Sequence, residues 1–189
     1  MALPQFVTAG IDVVYKRNGQ LLANLLSGWR WASRHEVVVG ITEKTAGARS
    51  SGQPGDAQAG AEKGSDNGSG GLNNAELLYI QTYGSPANNI PARPVLEPAI
   101  AQPEVAEQIA KHLEAGMRQA FVGGNARGAE AEYSKAGMIA QSECRKYILD
   151  SSHFVPNAPA TIRMKGSSKP LIDTGSMMNA ITYEVREKR

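Results

Sequence analysis

Residues 104–152 read EVAEQIAKHLEAGMRQAFVGGNARGAEAEYSKAGMIAQSECRKYILDSS. Val105, Ile109, Leu113, Met117 and Phe121 recur at four-residue steps, with Lys111, Glu114 and Arg118 on the other side. That spacing predicts an amphipathic helix over Glu104–Phe121. Gly123, Gly124 and Asn125 break it. Tyr133, Gly137, Ala140, Cys144, Tyr147 and Ile148 then recur at three- and four-residue spacing, which predicts a second helix over Glu130–Ser152. Two helices joined by a short glycine turn form an antiparallel pair. Gly116 and Gly137 fall on the apolar stripes, where a missing side chain lets another backbone approach. The pair needs an apolar surface to pack on.

The segments on either side supply candidates. Glu36–Thr42 (EVVVGIT) is dominated by β-branched residues and predicts a buried strand. Ile181–Arg186 (ITYEVR) alternates apolar and polar residues, as a half-buried strand does. Ile11–Tyr15 (IDVVY) reads as a further strand, with Lys16–Gly19 (KRNG) as its turn. Gln20–Trp31 reads as a short helix, because Leu21, Leu22, Leu25, Leu26 and Trp29 share one face at helical spacing. Strands at both ends with helices between them predict an α+β fold. The expected architecture is a single domain, 1–189, in which N-terminal and C-terminal strands form a small antiparallel sheet packed against the two longer helices.

Glycine and proline punctuate the rest. Residues 45–73 hold eight of the twenty glycines and no aromatic residue. Such a stretch buries too little apolar surface to offset its ordering entropy, so it is expected to be a flexible Gly/Ser-rich loop or arm. Asn74 is the expected N-cap of a short helix carrying Leu77, Leu78 and Ile80 and stopping at Gly84. Pro86, Pro91, Pro94, Pro98 and Pro103 follow, half of the chain's ten prolines, and predict a stiff extended connector. Towards the C-terminus, Ala160–Lys165 reads as one helical turn, Gly166–Pro170 (GSSKP) as a loop, and Asp173 as the cap of a short helix through Met177.

Charge and composition exclude several classes of function. Twenty Lys and Arg stand against eighteen Asp and Glu, a net charge of +2, which suits neither a basic nucleic-acid coat nor an acidic tail. A single cysteine excludes an intramolecular disulfide framework and a cysteine-rich zinc site. No apolar run approaches the roughly 18–20 residues that span a bilayer. Met1–Gln5 shows neither the basic region nor the apolar stretch of a secretory signal, so the chain is expected to be made in the cytoplasm.

The motif closest to catalysis is Leu171–Ser176 (LIDTGS). Asp-Thr-Gly after apolar residues is how aspartic proteases present a carboxylate, but that chemistry needs two aspartates sharing a proton. One chain supplies only Asp173, so a protease would have to be a dimer, and only thirteen residues follow Ser176 to build its cleft. His35, His112 and His153 lack metal-ligand spacing, and His112 reads as a helix-face residue. Cys144 lies on an apolar face and reads as a buried, inert thiol. The Gly-rich stretch lacks the phosphate-loop pattern, and the aromatics are not interleaved with basic residues as in single-strand binders. Neither a catalytic residue, a cofactor nor a metal is therefore expected. Arg163, Lys165, Lys169, Arg186, Lys188 and Arg189 outnumber Asp173, Glu184 and Glu187 and read as a solvated basic face.

Two segments together carry a family likeness: NAELLYIQTYGSPANNIPARPVLEPA (74–99) and APATIRMKGSSKPLIDTGSMMNAITYEV (158–185). The ordered features are the helix-ending pair Tyr83 and Gly84, then Ile90, Pro91, Ala92, Arg93 and Pro94. The turn Lys165–Gly166 comes next, then Pro170, Leu171, Ile172, Asp173, Thr174 and Gly175, and the closing Ile181–Thr182–Tyr183. In that order they resemble the tail-completion or neck proteins of long-tailed bacteriophages, minor tail components that join the finished tail to the filled head. The chain departs from the family at Val95 and Glu97, where Phe and Arg are frequent. The resemblance implies a non-enzymatic virion protein, made in a bacterial host and located at the head–tail junction. It implies a cyclic homo-oligomer around the DNA channel, six copies preferred and twelve possible. Its neighbours would be the head connector and the tail tube or terminator, with packaged DNA in non-specific proximity and no membrane. A tail terminator and a portal-adjacent connector are the alternatives within that class; a dimeric aspartic protease through Asp173 and a host-derived binding module lie outside it. Arg93, held between prolines, is expected to spend its five donors on a carboxylate or on backbone carbonyls, within the fold or on the next subunit.

Overall fold

The computed structural model describes residues 5–47 and 72–188, and of 5–18 the backbone alone. Most of the Gly/Ser-rich stretch predicted as an arm, 48–71, lies outside the described residues. In chain order the elements are α1 (Gln5–Arg34), β1 (His35–Ile41), α2 (Asn74–Tyr83), α3 (Leu96–Ile100), α4 (Pro103–Gly123), α5 (Ala126–Leu149), α6 (Pro159–Lys165), α7 (Ser176–Ala180) and β2 (Ile181–Glu187). Short 3-10 turns occupy Pro86–Asn88 and Ser151–His153. The fold is α+β: among the described residues there are seven α-helices and a two-stranded antiparallel sheet made of the N-terminal and C-terminal strands. The described residues form two compact units, 5–39, 100–142 and 183–188 in the first, and 40–47, 72–99 and 143–182 in the second.

In the first unit α1 packs along α4. Gly28 is the point of closest approach: a Cβ there would lie 2.7 Å from the carbonyl carbon and oxygen of Ala120 and 2.8 Å from the Cα of Phe121. Asn24 donates from Nδ2 to the Val122 carbonyl at 3.3 Å, satisfying an orphan acceptor in the last turn of α4. Gly28→Ala is expected to force the two helices apart and cost about 2 kcal/mol, since backbone cannot rotate out of the way. Denaturant unfolding measures it; a loss below about 0.5 kcal/mol would contradict this packing.

The pair α4 and α5 is antiparallel, as the spacing predicts. His112 on α4 meets Glu132 on α5, with Nδ1 2.8 Å from Oε2. One turn on, Gly116 faces the Tyr133 ring, and Trp31 of α1 stacks edge-on against the same ring at 4.9 Å. A backbone approaches Gly116 as expected, the Ala129 carbonyl oxygen lying 3.1 Å from where a Cβ would sit, but the Tyr133 ring is closer, at 2.7 Å, and fills the space. At Gly137 the ring of Tyr183 from β2 does the same. Asn125 does more than end a helix: its Oδ1 accepts from the Gly128 amide at 3.0 Å, so α5 begins at Ala126, earlier than the apolar pattern indicates.

Three expectations about local structure are corrected. Ile11–Tyr15 and the Lys16–Gly19 turn are not strand and turn but part of the thirty-residue helix α1. No proline interrupts that stretch, and once the leucine-rich half is helical each further residue extends it without a new nucleation cost. β1 is half-buried along its whole length rather than buried, because a two-stranded sheet leaves each strand an unpaired edge. The proline-rich connector is free of helix, turn and bridge only over residues 91–95. Pro86 and Pro98 sit in the first turns of a 3-10 turn and of α3, where no amide hydrogen is required.

Among the described residues no helix is long and apolar enough to cross a membrane.

Candidate functional site

The second unit collects the residues that carry the family likeness. α2 opens with a capping box: Asn73 Oδ1 accepts from the Glu76 amide and Glu76 Oε2 accepts from the Asn73 amide, both at 2.9 Å. The cap is thus Asn73, one residue before the expected Asn74, and Asn74 is free for another task. The helix closes where expected, with the Gly84 amide donating to the Ile80 carbonyl at 2.7 Å. Gly84 has φ 74°, ψ 178°, and a Cβ would lie 2.8 Å from the Ala92 nitrogen and from the Ile90 oxygen. Only glycine fits, for conformational and steric reasons at once.

From Gly84 the chain makes a narrow loop. Ser85 and Ile90 exchange backbone hydrogen bonds at 2.8 and 3.0 Å around the Pro86–Asn88 turn, and Asn89 adopts the left-handed conformation that asparagine tolerates, φ 53°. Pro91–Val95 then runs back beside α2, and the Arg93 amide donates to the Gln81 carbonyl at 2.6 Å.

This returns the Arg93 side chain to the interior, where it is 7% exposed. Its Nε donates to the Val155 carbonyl at 2.8 Å, one terminal nitrogen donates to the Pro156 carbonyl at 3.2 Å, and the other donates to Gln81 Oε1 at 3.3 Å. The expectation of backbone carbonyl partners within the fold is met. Burial lowers its pKa from the ordinary value, but arginine starts so far above neutrality that the group stays a cation. Val155 and Pro156 precede the second family-like segment, so Arg93 ties the first segment to the entry of the second.

A second tie lies at the other end of α2. Asn74 is buried, donates from Nδ2 to Ser176 Oγ at 3.1 Å, and takes its amide bond to the Ala46 carbonyl at 2.9 Å. Ser176 opens α7, which packs on α2. Ahead of it, the Ile172 amide bonds back to the Pro170 carbonyl at 2.7 Å, a two-residue closure that holds Leu171 at φ 60°. Pro170 is buried, whereas Asp173 and Thr174 are exposed. Asp173 is not the cap of α7; that position is Gly175, at φ 80°, with no side-chain bond to the helix. Thr174 Oγ1 instead accepts from the Ser176 amide at 3.3 Å. Lys165 ends α6 and donates to the Lys169 carbonyl at 2.8 Å, bridging the loop that Gly166, at φ 68°, begins.

Some residues stand outside this assembly. Tyr83 is 69% exposed and Tyr79 66%, their rings 4.7 Å apart. Open grooves of about 530 and 240 Å³ flank them, lined by Leu72, Ala75 and Ile80 on one side and Ile41, Thr82 and Leu96 on the other. Leu72 is half-exposed beside them. Among the described residues no group of three or more His, Cys, Asp or Glu is placed to hold a metal ion. Lys135 and then His112 hold the Glu132 carboxyl below its usual range. Cys144 is fully buried, and burial, helped by Glu143, pushes its thiol up to about 11. Its labelling by a thiol reagent at mildly alkaline pH is expected to be at least about 100-fold slower in the native protein than in denaturant. Equal rates would show that the site opens freely.

The sequence pointed to Arg93, Gly84 and the turn glycines but not to their partners. Gln81 and the carbonyls of Val155 and Pro156 carry no motif. The Asn74–Ser176 pair had one readable signal, the spacing of Asn73 and Glu76, which assigns the cap to Asn73. No family model, curated protein or solved structure matches this chain.

Proposed function

We propose that this chain is a structural, non-enzymatic virion protein of a long-tailed bacteriophage, acting at the head–tail junction as a ring that joins the head connector to the tail around the DNA channel. The observation that supports this most is the joining of the two family-like segments. They are separated by some sixty residues of sequence, yet both lie mainly in one compact unit. The Asn74–Ser176 pair ties them directly, and Arg93 ties the first to the residues just ahead of the second. Motifs that are weak singly thereby become parts of one built object. Its interior consists of structural ties, while Tyr79 and Tyr83 face outward, as anchors for a neighbour do. A net charge of +2 suits a channel wall that DNA must pass without being gripped.

In this reading, particles made without the protein accumulate as separate filled heads and finished tails. Adding the purified chain restores joining and infectivity. Normal joining in its absence would refute the reading.

A further inference from the structure

We infer that neighbouring copies associate head to tail, the apolar ridge of α1 on one copy seating on the tyrosine surface of α2 on the next; this takes the ring from the proposed function and supplies its contact. Two unlike apolar surfaces are exposed on each chain. On α1, Leu21, Leu22, Leu25, Leu26 and Trp29 are between 41% and 66% exposed. Their spacing sets them on one arc of the helix, beside the Asn24 and Gly28 side that meets α4. This ridge is convex and lacks hydrogen-bonding groups apart from the indole N–H of Trp29. On α2, Tyr79 and Tyr83 stand over open grooves of about 530 and 240 Å³. Those grooves are shallow and open, and the surface offers two hydroxyls.

Charge selects a second copy, joined in this orientation. Between Gly19 and Arg34 the only charges are Arg30 and Arg34, both positive. Pairing α1 with α1 would give these cations no acid in that stretch. The α2 groove presents the exposed Glu76 on its lining, a carboxylate for Arg30 or Arg34 to meet. A ridge on one copy and a groove on the next make a heterologous contact, the kind that closes into rings.

Two double variants test this: Leu26→Glu/Trp29→Glu, and Tyr79→Glu/Tyr83→Glu. All four side chains are exposed, so both variants should fold, and circular dichroism checks that they do. By light scattering or native mass spectrometry, each variant alone should be a monomer where the unaltered chain is a ring. Mixed, the two should form a one-to-one dimer, because each supplies the surface the other lacks, and then stop. If the tyrosine variant alone still pairs, or if the mixture stays monomeric, the contact is wrong. Rings of unchanged size in both variants would overturn the contact and leave the ring. An unaltered chain that is monomeric at every concentration would overturn both.

Discussion

Gly84→Ala is expected to destabilise the protein by about 4 kcal/mol, a fall of roughly 10 °C in melting temperature for a chain of this size. Two costs combine. At φ 74°, ψ 178° the backbone lies in a region that is essentially reserved for glycine, worth about 1–3 kcal/mol of strain. The new methyl group would also sit 2.8 Å from the backbone of Ala92 and Ile90, and relieving that overlap costs about 1–3 kcal/mol more. The segment 91–95 would have to move away from α2, and the Arg93–Gln81 backbone bond would go with it. Gly166→Ala is the control. Its φ of 68° is similar, but no atom lies within 4 Å of the added carbon, so only the backbone cost of about 1 kcal/mol should appear. Thermal and denaturant unfolding of both variants measure the difference. Equal effects would show that Gly84 is needed for its conformation alone.

Arg93→Ala is expected to cost about 3–5 kcal/mol, because it leaves three acceptors without their donor at about 1–3 kcal/mol each. The substitution leaves the Val155 and Pro156 carbonyls and the Gln81 side-chain oxygen without their donor. Arg93→Lys should recover less than half of the loss. An ammonium is a point donor on a flexible stem and cannot reach three oxygens that a planar fork reaches together. Because all three partners lie in the same chain, the loss belongs to folding. Whatever fraction of Arg93→Ala stays folded should assemble to the same mass as the unaltered chain. Unchanged stability together with a smaller assembly would move Arg93 from the interior to the interface.

The two longer helices were legible because their side-chain periodicity is a local property. Val105, Ala120, Tyr133, Ala140 and Ile148 are buried on the faces the spacing implies. Exposed Met117, on the same predicted stripe, shows that the α4 stripe is turned towards Gly116 and Ala120, where small residues allow closer packing. β2 was legible for the same reason, since its alternation is read residue by residue. The Ile11–Tyr15 segment was misread because β-branched residues suit either state, and what decides is whether a helix already runs into them. The cap of α7 was misread because Asp173 has the chemistry of a cap but the turn at Leu171 and Gly175 points the chain elsewhere.

The candidate site divides in the same way. Positions whose requirement is local could be seen beforehand: glycine at a positive φ, prolines fixing an extended run, an arginine between them. Partners brought in by tertiary folding could not. Nothing in residues 143–157 announces that two of their carbonyls receive the Arg93 guanidinium. Nor does the spacing of Leu21–Trp29 show that this face is left open; sequence alone would place it in a core.

The central claim is that this chain works as a closed ring. Native mass measurement of the purified protein over a range of concentrations tests it most directly. The account predicts one dominant species, six times the 20.1 kDa of the chain, with twelve as the other closed form. A chain that remains a 20.1 kDa monomer at the highest concentration reached, and never enters virus particles, would contradict it.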